Sequence, residues 1–279
     1  MAYRHGMTAT IDTDTAWAAF ARRDRAFDGR FVVAVHSTHI YCKPSCAARR
    51  PRRENVAFLP DAAAARAAGY RACRRCLPDS VARDRAAVIR AAQALADADA
   101  PVPLAALAAM AGYAPHHFHR LFRRLTGVTP AALARTHRAD RALVALQRAY
   151  SVTAAIYDAG YAAPSRFYDD VARFGMTAQA IASGGAGETI RWTIAAAPPG
   201  ALLCAATARG WCRFAFEDAA ALRATFPAAT ILPGDRSLSA RAGALLAAAA
   251  ADDADASLPE AVRRAALRTR LHDAATSVG

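Results

Sequence analysis

Tyr41-Cys42-Lys43-Pro44-Ser45-Cys46, answered after 26 residues by Cys73-Arg74-Arg75-Cys76, is the stretch around which this chain is organised. Two close cysteine pairs joined by a loop long enough to fold back outline a four-ligand metal site. Tetrahedral Zn²⁺ accepts four thiolates at about 2.3 Å, and two short chelating turns close such a site without steric difficulty. Lys43, Arg74 and Arg75 lie inside the two turns, so a polyanion can come close to the thiolates.

The rest of the composition sets bounds on this reading. A chain of 279 residues that is 54% hydrophobic is globular and long enough for two or three domains. Its formal charge of +13 is uneven. Lys and Arg number 14 against 7 acids in residues 1–80, 12 against 7 in 81–183, and 10 against 9 in 184–279. A basic excess over the first two thirds points to a phosphate-rich partner. Because 35 of the 36 basic residues are Arg and alanine is abundant, a nucleotide-composition bias would produce the same excess. The one lysine is Lys43, between two candidate ligands. No run reaches the ~18 apolar residues of a membrane span, and no signal-peptide core opens the chain, so we expect a cytoplasmic, nucleoid-associated protein with no membrane partner. In a reducing compartment four clustered cysteines read as ligands rather than disulfides. Cys204 and Cys212, in an apolar strand-like stretch, read as core.

Residues 1–80 read as a small α+β module. An amphipathic segment carries Trp17 and Phe20, Asp28-Gly29 is a turn pair, and Phe31-Val32-Val33-Ala34-Val35 is a strand leading to the first cysteine pair. Asp61 to Gly69 reads as a short helix that stops at Gly69 before the second pair. So small a module depends on its metal to fold.

Phe31 to Val35, Ile40-Tyr41-Cys42-Lys43-Pro44-Ser45-Cys46, Arg53-Glu54-Asn55-Val56 and Cys73-Arg74-Arg75-Cys76-Leu77-Pro78-Asp79 together resemble the N-terminal domain of the Ada family of alkylation-response proteins. The resemblance implies one Zn²⁺ held by Cys42, Cys46, Cys73 and Cys76. It makes Cys42 also the acceptor of a methyl group from a DNA methylphosphotriester, and assigns DNA contact to Ser37, Thr38, Lys43, Arg49, Arg74 and Arg75. Where the family commonly has Gly, three residues before Cys42, this chain has His39. If that Gly serves a turn with φ > 0, His39 is strained, though less than a β-branched residue would be. The chemistry is consistent in itself. A phosphotriester is neutral, so an anionic sulfur can approach it, and metal coordination keeps that sulfur deprotonated at neutral pH. The competing reading is a four-cysteine ribbon whose zinc only folds the domain.

Residues 84–183 read as an all-α domain with an internal repeat. Leu104 to Met110, Gly112-Tyr113 and Pro115 to Leu125 form a helix-turn-helix, with Phe118, Leu121, Phe122 and Leu125 at i, i+3, i+4 and i+7. His116, His117, His119, Arg120, Arg123 and Arg124 occupy the opposite face. Ala154 to Ala159, Gly160-Tyr161 and Ser165 to Phe174 repeat the plan, with Phe167, Tyr168, Val171 and Phe174 expected inward. The exits Leu125-Thr126-Gly127-Val128-Thr129-Pro130 and Arg173-Phe174-Gly175-Met176-Thr177 also match. Two such units joined by a helix from Ala131 to Gln147 resemble the AraC-type DNA-binding domain. The DNA-facing candidates are His116, His117, Arg120, Arg123 and Arg124 in the first unit and Ser165 and Arg166 in the second. Arg173 stands with them, but against Asp169 and Asp170, so the first helix is expected to carry more affinity. Ala114 and Ala163 stand where such domains often have a capping Ser, and Ala there typically costs ~1 kcal/mol.

Gly184-Gly185-Ala186-Gly187 marks a flexible boundary. In residues 188–279, Ile190, Trp192 and Ile194 alternate, Leu202-Leu203 and Trp211 to Phe216 read as strands, and Asp218 to Phe226 reads as a helix. This order resembles the start of the O6-alkylguanine methyltransferase domain, an α/β fold of ribonuclease-H-like type. No Cys follows Cys212 and Pro-Cys-His-Arg is absent, so a remnant or truncated domain without O6-alkylguanine activity is expected. Leu238 to Ala250 and Pro259 to Ala274 are then expected to expose apolar surface. Taken together, the chain is expected to repair methylphosphotriesters once per molecule. It then activates alkylation-response genes from promoter DNA with RNA polymerase as partner. The alternative is a zinc-folded AraC-type transcription factor without methyl transfer.

Overall fold

The computed structural model describes residues 12–149, 151–250, 254–256 and 258–277. The chain divides into two compact units, Met1–Ala86 and Ala87–Gly279.

In the first unit, helix α1 (Thr13–Arg22) starts at Asp12, whose carboxylate accepts the Thr15 amide, and stops at Arg23 in the left-handed conformation. Strands β1 (Val32–Val35), β2 (Ile40–Cys42), β3 (Val56–Leu59) and β4 (Arg71–Ala72) form one sheet in the order β3-β1-β2-β4. Pairing is antiparallel except for the parallel β2 and β4. All four residues of β1 are buried, which explains its unbroken apolar sequence. Successive side chains point to opposite faces. Val33 and Phe31 pack with Ala16, Ala19 and Phe20 of α1. Val32 packs with Tyr41 and with Ala65 of α2 (Ala62–Ala67), which Asp61 caps. The sheet is thus covered on both faces while its β2 and β4 ends deliver the cysteines.

In the second unit, α3 (Ser80–Asp97) contributes from Ala87 onward, and α4 (Leu104–Ala111) with α5 (Pro115–Thr126) forms the first helix-turn-helix. Helix α6 (Pro130–Arg148) leads to α7 (Val152–Asp158), α8 (Pro164–Ala172) and α9 (Ala178–Ala182). The sequence repeat is a backbone repeat. Gly112 and Gly160 follow α4 and α7 at φ 74° and 75°, and the next amides, of Tyr113 and Tyr161, reach back to Ala108 and Ile156 carbonyls. Gly127 and Gly175 lie within the two exits with positive φ, and Thr129 and Thr177 then cap α6 and α9. Left-handed residues after a helix favour glycine because it has no Cβ.

The α/β part consists of β5 (Thr189–Ala197), β6 (Gly200–Thr207), β7 (Gly210–Ala215), α10 (Ala219–Thr225), β8 (Thr230–Pro233), α11 (Arg236–Ala250) and α12 (Glu260–Ser277). Its sheet runs β7-β6-β5-β8, an antiparallel meander with β8 added parallel to β5. Cys204 and Cys212 are core residues, 1% and 0% exposed. Burial pushes both thiols up to about 12.

Three expectations are corrected here. Tyr168 is 51% exposed rather than inward. The inward face of α8 runs through Phe167, Asp170 and Val171, and at about 100° per residue position 168 falls outside it. The glycine-rich stretch at 184–187 is a packed turn: Gly185 is buried, and the Gly184 carbonyl accepts the Ala228 amide at 2.9 Å. The apolar faces of α11 and α12 are covered. Val262 and Ala266 pack with Leu107, Phe118 and Phe122 of the first helix-turn-helix, while Leu267 and Leu271 pack with Leu202, Cys204 and Phe214 of the sheet. Arg268 spans the same contact, donating to Asp140 of α6 at 2.5 Å and to the Phe214 carbonyl at 2.9 Å. Asp273 pairs with Arg173 at 2.8 Å.

Candidate metal centre and nucleic-acid interface

Cys42 ends β2 opposite Val33, and Cys73 follows β4 with its amide on the Tyr41 carbonyl at 2.9 Å. The partners of each pair close back through tight turns, Cys46 amide to Lys43 carbonyl at 3.1 Å and Leu77 amide to Cys73 carbonyl at 3.0 Å. The ligand atoms of Cys42, Cys46, Cys73 and Cys76 all lie within 4.8 Å of one another. Four thiolates at ~2.3 Å from one cation would stand about 3.8 Å apart, so the cluster is of the size one ion needs.

Its electrostatics fit a dication. The Cys42 thiol is pushed up, first by its hydrogen bond to Cys76, then by burial and the neighbouring thiols. Cys76 is held down to about 6, first by that same bond and further by the Lys43 amide, 3.3 Å from its Sγ. A second and third thiolate beside the first is unfavourable without a compensating cation, and an all-sulfur tetrahedral set suits Zn²⁺. One Zn²⁺ is held by these four cysteines.

The supports of the cluster were not legible in the sequence. Asp28, read as a turn residue, accepts the Ser45 amide at 3.0 Å and the Ser45 hydroxyl at 2.6 Å, fixing the first cysteine turn. Buried Tyr41 donates to Asp79 at 2.6 Å, and Arg66 donates to both at 3.0 and 3.1 Å. Desolvation and that carboxylate raise the Tyr41 hydroxyl. In the sequence Asp79 stands only as the end of the Cys73 to Asp79 motif, and nothing there marks Arg66.

Around the centre, Ser37 and Thr38 sit exposed in the β1–β2 turn, Arg49, Arg74 and Arg75 are exposed, and Lys43 is half-buried. Among the described residues none of these four cations enters an ion pair, whereas Arg53 pairs with Asp14 and Arg66 with Asp79. His39 has φ 49°, as a glycine-type turn requires, and its ring lies 5.6 Å from that of Tyr70. The Tyr70 hydroxyl also holds His36 Nδ1 at 2.7 Å.

On α5, His116, His117, Arg120, Arg123 and Arg124 are all exposed, while Phe118, Leu121 and Phe122 are buried. His117 stacks on Tyr113 at 5.1 Å. On α8, Ser165 and Arg166 are exposed. Asp170 is not: it is 4% exposed and accepts from Arg138 at 2.9 Å and Tyr161 at 2.8 Å, so it does not oppose a polyanion as expected from the sequence. Neither Ala114 nor Ala163 offers a side-chain cap. Among the described residues no helix is long and apolar enough to cross a membrane.

Fold and site together define a zinc-thiolate module followed by a double helix-turn-helix. A model of the metal binding domain of Ada matches residues 15–79, and a helix-turn-helix domain model matches residues 107–182. The bifunctional transcriptional activator/DNA repair enzyme Ada of Escherichia coli is 35% identical over 276 residues, 96% of this chain and 78% of that protein. The regulatory protein ada of Salmonella typhimurium is 34% identical over 278 residues, 97% of this chain and 79% of that protein. Among solved structures, the crystal structure of the methylated N-ADA/DNA complex is 42% identical with a TM-score of 0.35, covering 46% of this chain and 99% of that chain. The chain belongs to the Ada family of regulators.

Proposed function

We propose that this protein repairs methylphosphotriesters in DNA by irreversible methyl transfer to Cys42, and that the methylated protein activates alkylation-response genes. The observation that carries the choice of Cys42 is its hydrogen bonding. Exposure does not single it out, since Cys76 is the more open of the two. Cys76 accepts the Lys43 amide, and the upward push of burial on Cys46 is partly offset by the Ala48 amide, whereas neither Cys42 nor Cys73 has a backbone donor among the described residues; of these two, the family resemblance places the acceptor at Cys42. A thiolate relieved of donors keeps its basicity and with it its nucleophilicity.

Bound Zn²⁺ keeps the thiolates deprotonated at neutral pH. Cys42 Sγ displaces the phosphate oxygen from the methyl carbon: the S–C bond forms, the C–O bond breaks, and the electron pair leaves on a phosphodiester. Lys43, Arg74 and Arg75 hold the neighbouring phosphates. The thioether cannot return to a thiol by this route, so each chain acts once. Methylation also removes one negative charge from the cluster. At ~10 Å from a phosphate one charge is worth roughly 0.4 kcal/mol at the dielectric of water and about 1.7 at an effective 20, and several phosphates multiply this. Repair thereby raises DNA affinity, with α5 and α8 reading promoter DNA and RNA polymerase as the expected partner in the nucleoid.

The region after residue 187 supports a ribonuclease-H-like assignment through its meander, α10 and the β8 strand added parallel to β5. We attribute no O6-alkylguanine transfer to it, because both of its cysteines are core residues. The test is stoichiometric. Each protein chain should take up at most one methyl group from duplex carrying a methylphosphotriester, and Cys42→Ser should take up none. Repeated turnover, or transfer by Cys42→Ser, would refute the reading in favour of an enzyme of another kind or a zinc-folded factor.

A further inference from the structure

The structure carries a second basic feature outside the cysteine module. Where α11 and α12 meet the exit of the first helix-turn-helix, an open cavity of about 490 Å³ is lined by Arg123, Thr129, Arg135, Ala248, Arg270 and Asp273, among others. Three arginines line it from three helices, α5, α6 and α12. Arg270 is 8% exposed and anchored to the Thr126 carbonyl at 2.8 Å, which fixes its position in the wall. The one carboxylate, Asp273, is already compensated by Arg173 at 2.8 Å. Among the described residues the side chain of neither Arg123 nor Arg135 has a hydrogen-bond or ion-pair partner.

We propose that this cavity is a phosphate-group site completed by the C-terminal segment, and that it seats a backbone phosphate of the duplex lying along α5. Guanidiniums that outnumber the carboxylates beside them are unfavourable unless an anion joins them. Guanidiniums bind phosphate oxygens through paired N–H donors. DNA is favoured over a free anion because Arg123 belongs both to the cavity and to the exposed face of α5. The inference rests on the reading of the chain as a DNA-binding protein. It gives the α/β region a part in DNA binding that does not need a second methyl acceptor.

The test is the salt dependence of binding of the full zinc-loaded chain to an unmodified duplex. Each phosphate contact contributes about 0.9 to the slope of log affinity against log salt. Arg135→Gln should reduce the slope by about that amount, which is roughly an eightfold loss per decade of salt. Ala248→Glu, an exposed change in α11, should weaken binding in the same direction without touching the helix-turn-helix. Arg209→Gln, an exposed charge in the β6–β7 turn, should leave the slope unchanged. Thermal melting confirms that each variant is folded. Unchanged slopes for Arg135→Gln and Ala248→Glu beside a normally binding wild type overturn the site alone, as does an equal fall for Arg209→Gln. A wild type without salt-dependent binding overturns the DNA reading and the site with it. If the slopes stay equal but inorganic pyrophosphate raises the melting temperature of wild type and not of Arg135→Gln, DNA is overturned as the source of the phosphate.

Discussion

The backbone amide of Lys43 donates to Sγ of Cys76 across 3.3 Å, tying the turn that carries Cys42 to a ligand of the other pair. The backbone of residue 43 therefore serves the metal centre, while its ammonium enters no ion pair among the described residues. Lys43→Glu should keep the amide bond and the zinc but reverse a charge facing phosphate. Affinity for unmodified duplex at about 0.1 M salt should fall roughly tenfold, with methyl uptake slowed and zinc stoichiometry still one. Loss of zinc in this variant would show that the side chain, not the amide, supports the site.

Removing the metal should act locally. The first unit has two small apolar clusters around one four-stranded sheet, and modules of this size fold with their metal. The second unit is built on its own extensive cores. Chelation should abolish amide-exchange protection in β1 to β4 while that of α4 to α12 persists, as hydrogen exchange with mass spectrometry would report. Retained protection in β1 and β3 after zinc loss would contradict this.

The two DNA-facing helices start without caps. Ala114 has φ −68° and ψ 143°, a conformation that suits a capping serine. Ala114→Ser should stabilise the second unit by about 1 kcal/mol in denaturant titration. An unchanged midpoint would mean that the amides of α5 find another acceptor.

His272 gives the second unit a pH dependence. It is 6% exposed, packed against Phe174 and Phe214, and burial pulls it from 6.5 down to about 3, aided by Arg268. Because the folded state resists a proton that the unfolded chain accepts, stability is full above about pH 6.5 and is lost as pH falls toward 3. Between pH 7 and 5 the loss is about 2 kcal/mol from this group. His137, lowered chiefly by burial, adds to it with the same sign. His272→Leu should flatten the decline in urea midpoints over that range, and an unaltered decline would place the titration elsewhere.

Local pattern carried much of this structure. Cysteine spacing located the centre, and the paired Gly-Tyr and Gly-x-Thr signals at 112, 160, 127 and 175 located both helix-turn-helix units, because these are positions where backbone geometry restricts the residue. His39 shows the same logic in reverse, keeping a glycine's conformation at φ 49°. What escaped was long-range. The Asp28 carboxylate reaches Ser45 across 17 positions and Arg268 reaches Asp140 across 128, and no periodicity encodes such partners. The covering of α12 escaped for the same reason: an amphipathic helix announces that it must be buried, not against what. Tyr168 faces out because the buried face of α8 runs through Phe167, Asp170 and Val171, and a run of aromatics does not say which of them lies on that face.

The central claim is that one thiolate of the four reacts. Intact-mass and peptide mapping of the zinc-loaded chain after incubation with methylphosphotriester DNA tests it most directly. The account predicts one added methyl group, on Cys42, with Cys46, Cys73 and Cys76 unmodified and zinc still bound. A methyl group on Cys76 or another ligand, or none at all on a folded, zinc-loaded chain, would contradict it.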